Sequence, residues 1–429
     1  YGLYWQLYSY VRNGRWVPRL ATLLLVTGLF ILPLLFTYPY NANDLFRYVT
    51  RGRITAVYHG NPFEQPPQAY PQDPFTPLAG EWIDATTPYG PIWELTTAGF
   101  AAVTSRNPVA NLIALKLFSA VLHLLMGILI WRLLAASPSQ QRNRTLMWLM
   151  NPALLLTFVA DGHNDSLMLF WLIWGWAILR DDKRRGRLTW KVVVGFLVMV
   201  LSPLTKAIGL AVLPFFFLHI IKKLKTLKPR LLFVLYSGVG SFSLLIGTFL
   251  PFGSPLALAQ RLVNEAGDGA SFSLGTLYLV YVRDILQQPI TRELMDRISL
   301  LTFLFLGLTA LFLIGLTWFY DRSPLRASAD IFFAYILQAL NFRLWYTAWS
   351  FPFLLLDFRT QGWGLGDVYR IHIGLWFLLL SQLSVVIYGH LWAYVLGIND
   401  FYSHLLGVPF TLILPFILGR WTAYRARTI

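Results

Sequence analysis

The chain has 429 residues, of which 56% are hydrophobic and only 13% charged, with a formal net charge of +15 and no cysteine. This balance excludes an ordinary soluble globular protein, and the missing cysteines exclude a disulfide framework, a thiolate nucleophile and a cysteine-based metal site. The positive charge suits either nucleic acid or the cytoplasmic loops of a membrane protein, and only its distribution along the chain separates the two.

The first apolar run, 20–38, lacks a small-residue cleavage site and reads as an anchor rather than a removable signal, although the first residue is Tyr1 rather than Met. Runs at 109–131, 231–250, 300–319 and 371–396 also approach the roughly 20 apolar residues that cross a bilayer. Membrane helices are placed at 20–38, 108–133, 145–160, 166–180, 190–203, 207–221, 231–251, 298–320, 329–342, 345–358, 371–396 and 404–420. That makes about twelve spans, beginning from a cytoplasmic N-terminus. Most basic residues then fall on the cytoplasmic side, including "RDDKRRGR" at 180–187, "KKLKTLK" at 222–228, Arg322, Arg326, Arg359, Arg370 and Arg427. They read as topological anchors rather than nucleic-acid or lipid-head sites. The segment 91–105 is assigned to the outer surface as an interfacial helix, because a span there would turn the first basic cluster outward.

This topology gathers five polar stretches on one outer face: "NANDLFRYVTRGR" at 41–53, "ADGHND" at 160–165, "SPLTK" at 202–206, "NFRLWYTAW" at 341–349 and "GINDFYSH" at 397–404. Ionisable groups at this depth are costly, so their gathering is a functional signal, with structural ion pairing as the plain alternative. In the first stretch Asn41 or Asn43 can cap a short interfacial helix reaching about Tyr58. Asp44, Tyr48 and Arg51 then share one side, with Leu45, Phe46 and Val49 toward lipid. A first-turn aspartate also suits a plain helix start. The neighbouring arginines keep Asp44 ionised, a weak base that still accepts a hydroxyl proton late in a transition state.

In "ADGHND" a tight turn needs Gly162 and one Asx residue, so among Asp161, His163, Asn164 and Asp165 the further acid and the histidine are surplus. Asp with His is also a loose match to a divalent-ion site. Lys206 ends a segment that goes no further outward, and snorkelling is its plain explanation. Arg343 sits beside Trp345, Tyr346 and Trp349, which also suit an interfacial aromatic belt. Cations near a carboxylate on an outer membrane face suit a lipid phosphate substrate. When a sugar leaves a polyprenyl phosphate, the phosphate gains negative charge, so Lys206 and Arg343 would hold the transition state more tightly than the ground state.

The loop 39–107 carries prolines at 62, 66, 67, 71, 74, 77, 88 and 91 and is expected to be ordered, because proline lowers the entropy lost on fixing it. A proline- and aromatic-rich surface also suits partner docking. A second outer loop, 252–297, with Glu265, Asp268 and Asp284, is read as a cover for the site or a reader of the acceptor.

At these residues the chain resembles the GT-C superfamily of integral-membrane glycosyltransferases, most closely the polyprenol-phosphate-mannose-dependent mannosyltransferases of the bacterial α-1,6 type. The matching stretches are "NDLFRYVTRGR", "GNPF" at 60–63, "YGPIW" at 89–93, "GHNDSLM" at 162–168, "LTKAIGLAVLPF" at 204–215 and "LWYTAWSFP" at 344–352, in family order. The resemblance implies an all-α, polytopic transmembrane helical bundle of GT-C type, with interfacial helices in the first outer loop. It implies catalysis by Asp44, inversion at the anomeric carbon, and a lipid-phosphate donor in a groove open to the bilayer. Asp161, His163 and Asp165 would line the pocket and Lys206 would face the donor phosphate. Asn43, Arg47, Tyr48, Arg51, Tyr89, Asn164, Arg343, Trp345 and Tyr346 complete the expected substrate contacts. Many relatives carry an acidic pair where this chain has Asn43 and Asp44, so no obligatory metal and no cofactor are expected.

The expected organisation is a cytoplasmic N-terminus at 1–19, a catalytic transmembrane module at 20–251, an outer loop at 252–297 and C-terminal transmembrane helices at 298–429. The expected partners are a polyprenyl-phosphate-sugar donor, a glycan or glycolipid acceptor and the lipid bilayer, with no nucleic acid. The expected place is the inner membrane, with the active site on its extracytoplasmic face. A transporter or flippase of a lipid-linked sugar is the competing reading. It would favour internal repeats and charges deep in the bundle, whereas Lys116 and His123 are the obvious ionisable residues well within a span. "GWGLGD" at 362–367 follows no strand and reads as a turn. A non-catalytic scaffold would leave Asp44 as a helix cap only.

Overall fold

The structure is a computed structural model and describes residues 1–104, 107–182, 186–267, 271–357 and 365–428. Lys183, Arg184 and Arg185 of the first basic cluster, Asp268, Arg359 and residues 362–364 of the 362–367 stretch lie outside the described residues, as do the side chains of Glu265 and Arg427. The described chain is all-helical, with no strand. It divides into two compact units, Tyr1–Leu262 and Val263–Ile429.

In the first unit, α1 (Gly2–Arg12) precedes α2 (Leu20–Leu35). Pro33 lies inside α2, which ends two residues later, short of the apolar run that extends to 38. α3 (Asp44–Tyr58) and α4 (Pro91–Thr104) pack against each other within the 39–107 loop. Their approach is close at Gly52, where a Cβ would collide with the Thr97 carbonyl. α5 (Pro108–Leu133) is started by Asn107, whose side chain accepts from the Ala110 N–H at 3.0 Å, and by Pro108 at the first helical position. α6 (Pro138–Leu149) and α7 (Pro152–Leu155) lead into a π-turn, Leu156–Ala160. Then follow α8 (Asp165–Arg180), α9 (Trp190–Val200), a 3₁₀ turn at Ala207–Val212, α10 (Leu213–Lys223) and α11 (Leu227–Phe249).

α12 (Leu256–Gly267) carries the boundary between the units. The second unit continues with α13 (Leu274–Asp284), α14 (Arg292–Phe319), α15 (Pro324–Gln338), a 3₁₀ turn at Leu344–Ala348, α16 (Phe351–Leu356) and α17 (Leu365–Val385). A π segment, Val386–Leu391, separates α17 from α18 (Trp392–Tyr394), and a second, Pro409–Ile413, separates α19 (Asp400–Val408) from α20 (Leu414–Thr428).

Each predicted span falls on helical elements, but the count of about twelve is not established. Among the described residues five helices are long and apolar enough to cross a membrane: Pro108–Leu133, Leu227–Phe249, Arg292–Phe319, Gly366–Tyr394 and Asp400–Arg425. Leu20–Leu35, Trp190–Val200 and Leu344–Leu356 are apolar but shorter. Leu300, Leu301, Phe303, Leu304, Leu308 and Phe312 of α14 are exposed, as are Leu231, Leu235, Val239 and Phe242 of α11, an arrangement that lipid tolerates and water does not.

One expectation is overturned. Leu45, Phe46 and Val49 do not face lipid but are buried, Leu45 and Val49 in a core with Tyr48, Tyr89, Trp93, Leu115 and Leu167. Every residue from Asp44 to Ile54 is buried, so α3 is an internal element rather than one lying on the surface.

Within each unit, ion pairs join segments that lie far apart in sequence. Asp44 meets His163, and Lys206 meets Asp165. Arg132 pairs with Asp181 at 3.4 Å. In the second unit Arg283 pairs with Asp400 at 2.8 Å, while Arg326 joins Asp357 and Asp367, and Asp330 joins Arg322 and Arg370.

Candidate active site

The start of α3 supplies the first wall. Asn43 occupies the N-cap position without a side-chain cap bond, and its amide instead donates to Glu81 at 3.4 Å. Asp44 and Arg47 are one turn apart, which brings Arg47 Nη1 to 2.7 Å from Asp44 Oδ1. The Arg47 guanidinium lies over the Trp82 ring at 3.9 Å. One turn further, Arg51 Nη2 donates to the Ala85 and Thr86 carbonyls at 3.0 and 2.9 Å. Arg47 keeps Nε and Nη2, and Arg51 keeps Nε and Nη1, buried without a hydrogen-bond acceptor among the described residues.

The segment 87–92 forms the second wall. The Thr87 hydroxyl donates to Glu94 at 2.6 Å and accepts from the Tyr89 N–H at 3.1 Å. Gly90 and Ile92 donate backbone N–H groups to the Thr205 and Leu204 carbonyls at 2.9 and 3.0 Å. A Cβ on Gly90 would strike the Leu204 carbonyl, so glycine is what permits this approach. The pairing brings Lys206 Nζ to 5.9 Å from the centre of the Tyr89 ring. The Tyr89 hydroxyl reaches Asp44 Oδ1 at 3.4 Å, and the Tyr48 ring packs edge-on to Tyr89 and Trp93.

The π-turn delivers the third wall. After it, Gly162 takes φ +64°, a left-handed conformation, and packs so closely on the Leu45 side chain that a Cβ would collide with it. His163 Nδ1 stands 3.7 Å from Asp44 Oδ2 and 3.9 Å from Asp165 Oδ2. Asp165, fully buried in the first turn of α8, accepts from Lys206 Nζ on both oxygens, at 2.8 and 3.0 Å. Asn164 is fully buried, and neither end of its amide has a hydrogen-bond partner among the described residues. Asp161 turns to the backbone, accepting from the N–H groups of Tyr40 and Asn41 at 2.5 and 3.1 Å.

The electrostatics follow from this enclosure. Burial alone would raise the Asp44 carboxyl, but the charges of Arg47, His163 and Lys206 outweigh it and hold the group below its ordinary 3.8. Burial, reinforced by Arg47, pushes Arg51 down to about 10. Arg47 is disfavoured by burial yet ends above its ordinary value through Tyr89 and Asp44. Burial raises Glu94, against the opposing pull of Arg51. Tyr89 is raised by burial and then by Asp44. Among the described residues no group of three or more histidine, aspartate or glutamate side chains is arranged to hold a metal ion.

Thus Asp44, Arg47, Tyr48, Arg51, Tyr89, His163, Asp165 and Lys206 come together in the first unit. Asn43 lies at its edge, and Asp161 acts on the chain leading into it. Arg343, Trp345 and Tyr346 belong to the second unit, where Tyr346 stacks on Trp349 at 4.1 Å and Trp345 stands edge-on to Tyr346. Sequence reasoning missed Trp82, Thr87 and Glu94. Only Glu94 left a signal, as a lone acid in the apolar stretch "PIWELTTAGF".

A family model described as the N-terminal domain of alpha-(1->6)-mannopyranosyltransferase matches residues 1–222, slightly more than half of the chain. The chain is 25% identical over 156 residues to alpha-(1->6)-mannopyranosyltransferase B of Corynebacterium glutamicum, covering 34% of this chain and 25% of that protein. It is 25% identical over 202 residues to alpha-(1->6)-mannopyranosyltransferase A of Mycobacterium tuberculosis, covering 45% and 36% respectively. The aligned segments thus span about a quarter to a third of the curated relatives' own lengths.

Proposed function

The chain belongs to the alpha-(1->6)-mannopyranosyltransferase family, and on that premise we propose that it is a membrane glycosyltransferase. It moves mannose from a polyprenyl-phosphate donor to a hydroxyl of a glycan or lipid-linked acceptor, with inversion, on the extracytoplasmic face. The observation that carries this reading is the pair of buried guanidiniums beside an ionised aspartate. Arg47 and Arg51 hold unused N–H groups out of water next to Asp44. Buried donors without acceptors are costly, and a phosphate oxygen is the partner that best answers guanidinium geometry.

In this mechanism the acceptor oxygen attacks the anomeric carbon while the bond from that carbon to the phosphate oxygen breaks. The departing phosphate keeps the bonding pair and goes from one negative charge toward two. At about 4 Å and an effective dielectric near 20, each added unit of charge is worth roughly 4 kcal/mol against a fixed cation, which favours the transition state over the ground state. Arg47 and Arg51 supply that attraction. Asp44 takes the hydroxyl proton. Its Oδ1 is occupied by Arg47 and Tyr89, so Oδ2, which faces His163, is the oxygen that receives it. Lys206 is held by Asp165 and acts on Asp44 through space.

The experiment is Asp44→Asn in purified protein reconstituted in lipid, supplied with labelled polyprenyl-phosphate mannose and, separately, glucose. Transfer from the mannose donor falls by orders of magnitude while expression and melting hold. Turnover equal to the parent's would leave Asp44 a helix-start residue and overturn the mechanism.

A further inference from the structure

Two buried ionisable groups grip the short connection between α2 and α3 from opposite ends. Lys116 is 2% exposed within the apolar helix α5, where a lone ammonium is expensive. Its Nζ donates to the Leu34 carbonyl at 3.3 Å and the Thr37 carbonyl at 2.5 Å, at the broken end of α2. A cation there meets carbonyls left open by the helix end and the negative end of its dipole. Asp161, 1% exposed, holds the other half of the connection by accepting the Tyr40 and Asn41 N–H groups. The charge of Asp161 also acts on Lys116 directly. Asp44 begins α3 three residues after Asn41.

We propose that Lys116 and Asp161 form one electrostatic clamp that fixes the connection 34–43 and thereby sets the position of Asp44. Both are positioning residues. The carbonyl groups of 34 and 37 accept and the N–H groups of 40 and 41 donate, so a cation answers the first pair and an anion the second. This assigns Lys116 a place in the site that no motif gave it, and it moves Asp161 from substrate contact to support. The inference rests on the reading of Asp44 as the proton acceptor, and one arm of its test is independent of that reading.

The chain contains no cysteine, so Tyr40→Cys provides a single labelling position at an exposed side chain. A nitroxide there reports the mobility of the connection, in the parent and in Lys116→Met, Lys116→Arg and Asp161→Asn. Loss of either charge is expected to raise label mobility, and Lys116→Arg restores it because a guanidinium still donates to both carbonyls. Without the label, Lys116→Met and Asp161→Asn each lower kcat by about 10²-fold, the cost of displacing a reacting group by about 1 Å. Donor KM changes by less than about threefold, because Arg47 and Arg51 remain. The double variant loses little more than either single one. Unchanged mobility in both single variants overturns the clamp, as does equal loss in Lys116→Met and Lys116→Arg. If the parent transfers no mannose, the activity reading fails while the mobility arm still decides the clamp. If Lys116→Met does not fold, Asp161→Asn carries both readouts.

Discussion

Arg51 is the sharpest test of whether the buried cations serve a ligand or the fold. Burial pushes it from the ordinary guanidinium range down to about 10, which corresponds to a penalty on the order of 3 kcal/mol against the charged form. The sign is that of a depressed base: the penalty applies in full below about pH 10 and fades as pH rises from there toward the ordinary guanidinium range. Arg51→Met removes this penalty and also forfeits two charged hydrogen bonds to the Ala85 and Thr86 carbonyls, worth about 1.5–3 kcal/mol each. The opposing effects offset to within a few kcal/mol, so the ligand-free variant should melt within about 5 °C of the parent. Ligand response should differ sharply. A short-chain isoprenyl phosphate stabilises the parent by binding the folded form, and most of that gain disappears in Arg51→Met. Turnover falls by about 10²–10³-fold, as for loss of one preorganised donor to a developing charge. The assay is thermal unfolding by tryptophan fluorescence in lipid discs near neutral pH, with and without the phosphate, alongside transfer rates. A variant that melts more than about 10 °C lower yet keeps the full ligand shift would make Arg51 a structural ion and refute the reasoning.

Two further outcomes follow from the same geometry. Because Asp44 is held below 3.8, its ionised form is present at all higher pH and is lost only as pH falls through that lowered value; kcat/KM should therefore show no inflection from Asp44 between about pH 5 and 7, and an inflection there that persists in His163→Gln would contradict this. Asp165 is fully buried and is the bidentate partner of Lys206, so Asp165→Asn should cost about 3–5 kcal/mol by stranding an ammonium, while the double variant with Lys206→Met recovers much of it. Melting curves of the four proteins decide, and additive losses would exclude the coupling.

How far the sequence carried is visible in particular residues. Apolar runs marked where helices lie, since length and composition suffice to recognise bilayer-compatible segments, and the polar turns between them stood out for the same reason. That is how Asp44, His163, Asp165 and Lys206 could be named together. Periodicity could not say what an apolar face touches. Leu45 and Val49 were hydrophobic at helical spacing, and core and lipid ask for the same residue types. The span count stays open, because several apolar stretches form helices shorter than a bilayer crossing. α2 ends at Leu35, short of the apolar run to 38, and the π segment Leu156–Ala160 breaks the regular helix in a stretch, "LTFVA", whose composition gives no warning. The packing of Trp82 on Arg47, and of Gly90 on Leu204, is long-range and leaves no trace in spacing.

The charge arrangement explains why one lysine and two arginines beside the same acid need not act alike. Lys206 is already neutralised by Asp165, so it contributes a fixed, closed pair. Arg47 and Arg51 flank the carboxylate of Asp44, while burial raises the carboxyl of Glu94 against the opposing pull of Arg51. On the proposed reading, these three side chains by themselves supply two cations and one anion, a net charge that a phosphodiester donor's single negative charge would balance. A second negative charge on the leaving phosphate is then stabilised beyond balance, which lowers the barrier but also retains the product. Had Lys206 been an open cation as well, the polyprenyl phosphate product, with its second ionisation near pH 6, would be held more tightly still. On the proposed reading, closing Lys206 with Asp165 would thus limit product retention while leaving both guanidiniums for the step in which charge develops.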